Sequence, residues 1–195
     1  MRVTGATTES VNRFVLDSAA VYIDYELPGE RTLGATQEGA TFTLEQTNRQ
    51  TPIDGFRGPV KGARRVTEET ARITASILEM TSENMARILT GSTVTDHTAD
   101  GASNPTHNQV QRMSDLPNTG DYATNVALVG RVQGSGQPMV VILFNALSDG
   151  ELELETTDQE EGTIEVQFTA HFDLNDPDTA PYALRFPKDV DAVAT

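Results

Sequence analysis

Apolar and polar residues alternate along much of the chain, and this alternation predicts β-strands. Residues 19–25 are rich in β-branched and aromatic side chains and are followed by Pro28 and Gly29, which predicts a first strand. Residues 40–47 alternate strictly and residues 66–79 alternate again from Ala71 to Ile77, so each run predicts a long strand with one apolar and one polar face. The apolar faces contain Ala40, Phe42, Leu44, Ala71, Ile73, Ala75 and Ile77.

Four later runs predict further strands, at residues 122–132, 139–144, 151–155 and 163–172. Residues 139–144 are apolar on both faces, which is typical of a central strand. In the last run we expect one face to point inward, with Ile164, Val166, Phe168, Ala170 and Phe172. About seven strands and one helix predict a mainly β fold, a β-sandwich or barrel with one packed α-helix and a long β-hairpin.

The one predicted helix covers residues 81–91. Thr81 or Ser82 can cap its N-terminus, Glu83 lies in the first turn where the helix dipole favours a carboxylate, and Gly91 can end it. The residues expected to dock on the sheet are Met85, Ile88 and Leu89.

The two long strands are joined by residues 52–62, which contain three glycines and two prolines. This arrangement predicts an extended hairpin with one polar face. Residues 92–120 are dominated by Asp, Thr, Asn, Gly and Pro, so they predict a long polar loop inserted in the domain, and such loops tend to be functional or mobile. We therefore divide the chain into an N-terminal arm (1–17), one domain (18–188) and a C-terminal tail (189–195).

Composition excludes several classes of chemistry. The chain has 195 residues, no cysteine and a net charge of −15, so disulfides, thiolate nucleophiles and general binding of phosphate backbones are not expected. No run approaches about 20 apolar residues, which argues against a membrane span. The bias toward arginine and acidic residues is typical of a GC-rich genome or a salt-rich environment.

Charge is distributed unevenly along the sequence. Residues 1–65 hold eight basic and eight acidic side chains, whereas residues 148–195 hold two and thirteen. The one basic cluster contains Arg57, Lys61, Arg64 and Arg65 and lies at the end of the predicted hairpin. It is either a solvated loop or a surface that recognises acidic groups.

Catalytic and metal-binding patterns are missing from the sequence. The three histidines, His97, His107 and His171, do not have the short regular spacing of a helical or strand metal site. His97 with Asp96 and Asp100 could form a loose cation site, and residues 158–161 could bind calcium weakly, but solvated side chains explain both groups. We therefore expect no enzyme activity, no metal and no cofactor.

Several segments carry a family resemblance. They read VYIDY at 21–25, LGATQEG at 33–39, IDGFRGPVKG at 53–62, NALSDG at 145–150 and EGTIEVQFTAHFD at 161–173. In this order, with the long strand and capped helix between them, they resemble the major tail tube protein of long-tailed phages and related tailed viruses. The resemblance covers about residues 19–187, and its most specific part is residues 54–62 with the two arginines that follow.

This resemblance implies a virion protein that is made in the host cytoplasm and assembles into hexameric rings. The rings stack into a tail tube whose inner wall is a β-barrel of hairpins from six subunits. Viral DNA passes through the tube without tight binding. Implied partners are further copies of the chain and other tail proteins, such as the tape measure, tail terminator and distal tail proteins.

Two sets of site residues follow as hypotheses. The polar face of the hairpin would line the lumen, with Thr41, Thr43, Glu45, Glu68, Thr70, Arg72, Thr74 and Ser76; alternatively it is outer surface. The loop at the end of the hairpin would contact another subunit, with Asp54, Phe56, Arg57, Lys61, Arg64 and Arg65.

Two other classes remain open at this point. A tube subunit of a contractile tail or secretion system would share the same fold and ring. A free-standing acidic β-sandwich, such as a capsid decoration or binding module, would be monomeric or trimeric with exposed aromatic residues. The chain has seven Phe, four Tyr and no Trp, which disfavours stacking on sugars.

Overall fold

The computed structural model describes residue 10 and residues 14–114, 117–150, 154–155 and 162–188. Residues 1–9 and 11–13 of the predicted arm, the acidic run 158–161 and the predicted tail 189–195 lie outside the described residues. The strands within the described part are β1 (Val15–Ile23), β2 (Arg31–Thr32), β3 (Thr36–Gln50), β4 (Arg64–Ile77), β5 (Ser92–His97), β6 (His107–Arg112), β7 (Ala123–Val132), β8 (Pro138–Ser148), β9 (Leu154–Glu155), β10 (Thr163–Thr169) and β11 (Tyr182–Arg185).

Nine of these strands form one antiparallel sheet in the order β2-β1-β7-β8-β10-β4-β3. β11 pairs with β8 and β9 pairs with β10 beside this path. β8 connects two layers, because its residues 140–143 pair with β7 and β11 whereas Leu147 and Ser148 pair with β10. The fold is the predicted mainly β architecture, a β-sandwich with one helix.

The two layers enclose a single apolar cluster. One layer contributes inward side chains from β1, β7 and β8, and the other contributes them from β4 and β10. Fully buried members include Val21, Ile23, Ile73, Ile77, Val126, Leu143, Ile164 and Val166. In β4 and β10 alternate residues face this cluster, as the period of two predicts, whereas β7 and β8 also bury Ala127, Val140 and Ile142 in a second cluster.

α1 (Ser82–Ile88) covers one end of the core. The Oγ1 atom of Thr81 accepts a hydrogen bond from the backbone N–H of Asn84 at 3.2 Å, which confirms the predicted N-cap. Ile88 is buried and Met85 packs partly against the core, but Leu89 is only half-buried. Asn84 is buried instead and donates to the backbone oxygen of Leu33 at 2.9 Å. No helix among the described residues is long and apolar enough to cross a membrane.

The interpretation of residues 92–120 as a loop is wrong for more than a third of its length. β5 and β6 pair in register from Ser92↔Arg112 to His97↔His107 and form a separate two-stranded sheet. The segment has almost no apolar alternation, since Val94 and Val110 are its only cross-strand apolar pair. Asn108 links this hairpin to α1 through a hydrogen bond from its Nδ2 atom to the Oγ atom of Ser82 at 3.0 Å.

A second correction concerns the end of β10. The alternation predicted that Phe172 points inward, but the strand ends at Thr169 and the side chain of Phe172 is 45% exposed. Because Phe172 follows the last residue of the strand, the alternation of faces no longer determines its direction.

Asn125 on β7 fixes the end of β1. Its side chain is 7% exposed, its Oδ1 atom accepts from the Tyr25 backbone N–H at 2.7 Å, and its Nδ2 atom donates to the Tyr25 backbone oxygen at 3.1 Å. One side chain therefore satisfies both backbone groups of a residue that leaves the sheet.

The substitution Asn125→Ala should lower the free energy of unfolding by about 2–4 kcal/mol, because two backbone groups lose their partners. Urea unfolding followed by circular dichroism measures this loss. Asn108→Ala is the control, since its hydrogen bond is exposed and its loss should cost less than about 0.5 kcal/mol. Equal losses in the two variants would contradict the assigned role of Asn125.

Candidate assembly surface on the long hairpin

The hairpin of β3 and β4 is longer than the sandwich that supports it. β10 pairs with β4 from Ile77 to Arg72, and the Ala170 amide reaches the Ala71 oxygen at 3.0 Å. Among the described residues, Arg64–Thr70 pairs with β3 alone. At about 3.3 Å per residue, this two-stranded part is about 23 Å long. We call it the projecting hairpin; it comprises Glu45–Gln50, the loop 51–63 and Arg64–Thr70.

The register places all eight residues of the predicted lumen set on one face. Thr41 lies opposite Thr74, Thr43 opposite Arg72, and Glu45 opposite Thr70. Ser76 and Glu68 continue the same ladder, opposite Gln37 and Thr47. The residues selected from the sequence pattern therefore form one continuous polar surface.

Charge on this polar face is partly compensated. The Nη1 atom of Arg72 lies 2.9 Å from the Oε2 atom of Glu45, as a hydrogen-bonded ion pair between neighbouring strands. The remaining members of the face are one carboxylate, Glu68, and five threonine or serine hydroxyls on β3 and β4. The surface is thus rich in hydroxyl groups with a small excess of carboxylate.

The opposite face of the hairpin changes character along its length. Phe42 and Ile73 pair at the base and contact the core. Leu44 was expected to continue this apolar face, but it is 37% exposed, and Val66 nearer the end is 50% exposed. Both faces of the projecting hairpin are therefore open to solvent in the single subunit.

Tyr182 on β11 holds the base of the hairpin against the other layer. Its hydroxyl donates to the Oε1 atom of Glu69 at 2.5 Å, and its ring lies 6.2 Å from the ring of Phe42. The hydrogen bond to Glu69, followed by burial, raises the pKa of Tyr182. This contact could not be predicted from the sequence, because β11 has only four residues and lies far along the chain from β3 and β4.

The loop set is exposed in the single chain, and two of its members lie in a strand rather than in the loop. Asp54, Phe56, Arg57 and Lys61 lie in the loop, and the Phe56 side chain is 65% exposed. Arg64 and Arg65 begin β4 instead, opposite Gln50 and Arg49. The structure therefore adds Arg49 to the basic cluster, which sequence spacing could not reveal.

The pair Arg49↔Arg65 is notable because like charges face each other across the strands. Such a pair destabilises an isolated hairpin. Together with Arg57, Lys61 and Arg64, it concentrates five basic side chains at the end of the hairpin, against the single acid Asp54. The end of the hairpin is thus a positive, partly apolar surface on a strongly acidic protein.

An apolar groove lies beside the base of the hairpin. It has a volume of about 690 Å³ and is lined from both layers, chiefly by Val15, Ala40, Phe42, Leu128, Met139 and Leu184. Gly39 and Gly130 also line the groove, and at these two positions no side chain extends into it. The groove and the projecting hairpin leave much of the β3 side of the subunit uncovered within the described residues.

No protein-family model and no curated protein matches the chain. Among solved structures, it is similar to a chain in the virion of a native gene transfer agent particle, with 10% identity, a TM-score of 0.44, and coverage of 87% of this chain and 95% of that chain. A chain in the tail of the empty gene transfer agent particle, with C6 symmetry, has 11% identity, a TM-score of 0.42, and coverage of 87% and 95%.

A chain in the cryo-EM structure of the anti-feeding prophage baseplate, 6-fold symmetrised, has 10% identity and a TM-score of 0.38. The similarity covers 88% of this chain and 93% of that chain. Similarity at these levels extends over most of each chain, but the folds superpose only loosely.

The contact between Tyr182 and Glu69 gives a testable expectation. The substitution Tyr182→Phe should lower the free energy of unfolding by about 1 kcal/mol, because the ring remains and only the hydrogen bond is lost. Because the folded-state pKa of Tyr182 is raised, the contribution is fully present below the unfolded pKa of about 10 and is lost as pH rises through the folded pKa.

Urea unfolding of both proteins at several pH values measures this contribution. The difference between them should be constant from about pH 7 to 9 and should shrink above about pH 10. Tyr22→Phe is the control, because the Tyr22 ring packs edge-on against Tyr25 at 5.6 Å and that packing survives the change. If Tyr182→Phe lowers the free energy of unfolding no more than Tyr22→Phe does, the assigned role of the Tyr182–Glu69 hydrogen bond is contradicted.

Proposed function

We propose that this protein is the subunit of a tail tube, assembling as hexameric rings that stack into a hollow tube for DNA delivery. The observation that carries the proposal is the projecting hairpin, whose two strands extend beyond the layer that supports them. A two-stranded hairpin is marginally stable alone in water, and unpaired strand edges invite association. Pairing with hairpins of neighbouring subunits would complete both edges.

In a closed ring, both edges of every projecting hairpin would be paired. The two edges of the projecting hairpin are different, since one belongs to β3 and the other to β4. A contact between unlike edges is heterologous, and heterologous contacts close into rings when the rotation permits. The number six comes from the resemblance of the sequence to tail tube proteins.

The polar face of the hairpin fits the lumen of such a tube. Its hydroxyl groups and its small excess of carboxylate offer no positive surface on which a phosphate backbone could be retained. Arg72 is paired with Glu45 and so adds little attraction. DNA would therefore pass with weak friction, and the apolar base of the opposite face would stay against the subunit core.

The basic end of the hairpin would contact a neighbouring subunit or ring. Its five basic side chains repel one another in the free subunit. The chain as a whole carries a net charge of −15, so another copy offers acidic surface to them. Complementary charge favours association and fixes orientation. In this assignment the protein is a structural component of the virion tail, with the tape measure, tail terminator and distal tail proteins as further partners.

Charge reversal tests the contact at the end of the hairpin. The double substitution Arg64→Glu and Arg65→Glu should raise the protein concentration needed for assembly at least about ten-fold, equivalent to about 1.4 kcal/mol per contact. Folding should be retained, because a carboxylate at position 65 faces Arg49. Negative-stain electron microscopy and sedimentation measure rings and tubes.

The matched control is Arg87→Glu with Lys188→Glu, two exposed cations outside the hairpin that change the net charge equally. This control should assemble like the unchanged protein. Unchanged assembly of the Arg64 and Arg65 variant would contradict the contact. If the unchanged protein forms only small monodisperse particles at all salt concentrations, the tube assignment itself is wrong.

Hydrogen exchange tests the role of the strand edges. Those backbone amides of Thr43–Gln50 that point away from β4 should exchange rapidly in free subunits and at least about ten-fold more slowly in tubes, since pairing between subunits protects open edges. Amides of the buried strand β7 serve as the internal control and should show equal protection in both states. Equal exchange of those Thr43–Gln50 amides in both states would contradict edge pairing.

A further inference from the structure

His97 and His107 lie opposite each other at the end of the β5–β6 hairpin. Their ring centroids are 6.3 Å apart, with an angle of 53° between the rings. Both side chains are exposed, so each ring can rotate without displacing packed neighbours. Nine residues separate these histidines in the sequence, which hides a proximity that the strand register creates.

The Thr106 hydroxyl contacts a ring nitrogen of His107. Its Oγ1 atom donates to the His97 backbone oxygen at 3.4 Å, accepts from the Ala99 amide at 3.2 Å, and lies 2.8 Å from the Nδ1 atom of His107. A hydroxyl has one proton. In the tautomer in which Nδ1 of His107 donates to this hydroxyl oxygen, the lone pair of the neutral ring lies on Nε2.

We propose that His97 and His107 form a two-imidazole binding site for a divalent transition-metal ion. Neutral imidazole nitrogen is a ligand for copper, nickel and zinc. A histidine that binds a metal is usually oriented by its other ring nitrogen, which donates a hydrogen bond to a protein acceptor. Metal–nitrogen bonds are about 2.0–2.1 Å long, as known for zinc. With the ring centroids 6.3 Å apart, rotation of the exposed rings would bring both Nε2 atoms to that distance from one ion.

The ligand set determines which ions bind. Among the described residues, no group of three or more His, Cys, Asp or Glu side chains is arranged to hold a metal, so solvent fills the remaining coordination positions. Affinity should therefore follow the general order for nitrogen ligands, with Cu²⁺ above Ni²⁺ and Zn²⁺. Ca²⁺ and Mg²⁺ should not bind here, because they require oxygen ligands.

Binding would join the two strands where their ladder ends. The hairpin is also tied to α1 through Asn108 and Ser82. An ion held by both histidines would thus restrain a two-stranded sheet that has no other strand beside it among the described residues. This site is independent of the tail tube assignment, since it uses neither the projecting hairpin nor any neighbouring subunit.

Titration of the full chain with Cu²⁺, in a buffer that does not bind metal, tests the site by calorimetry and by NMR. We expect one saturable site, with paramagnetic broadening centred on the amides and rings of His97 and His107. His97→Gln and His107→Gln should each weaken the affinity at least ten-fold, while retaining the amide spectrum of the β5–β6 hairpin.

His171→Gln is the matched control, because its ring contacts Tyr122 at 5.2 Å and lies in another part of the fold; its affinity should stay within two-fold of the unchanged protein. Thr106→Val should weaken binding, and unchanged affinity would contradict the tautomer assignment. Equal affinity in the His97, His107 and His171 variants, or no saturable binding, would overturn the proposed site.

Discussion

The mismatch between the length of the core and the length of two strands determines the character of this subunit. The apolar cluster between the layers ends near Ala71 and Phe42, but the hydrogen-bonded ladder of β3 and β4 continues to Gln50 and Arg64. Burial of apolar surface stabilises the first part, and the ladder alone supports the second. The distal part of this strand pair has open edges and little apolar burial, and an isolated two-stranded hairpin is only marginally stable in water.

The connection between layers makes this mismatch possible. β8 pairs with β7 and β11 in one layer and with β10 in the other, so it fixes the two layers relative to each other at one end. β10 is short and covers only the base of β4. Tyr182 then holds the same base from the opposite layer through Phe42 and Glu69. The base is thus well anchored while the distal part remains open.

Much of the sandwich could be predicted from the sequence, because its strands carry the period of two. β4 and β10 place alternate residues in the core, alternate residues at the base of β3 pack partly against it, and the cap at Thr81 marked the helix. The β5–β6 hairpin was missed because its side chains are polar on both faces, so backbone pairing rather than apolar burial defines it. The pairs Arg49↔Arg65 and His97↔His107 depend on register, which composition and spacing do not determine.

The opposed arginines at the end of the long hairpin also bear on when a subunit associates. In a free subunit the repulsion between Arg49 and Arg65 is present at all times and works against the ladder that holds them together. An acidic surface brought against them would remove that repulsion as well as adding attraction. In the proposed contact, release of this unfavourable electrostatic energy would contribute to association, by an amount that depends on the salt concentration of the surroundings.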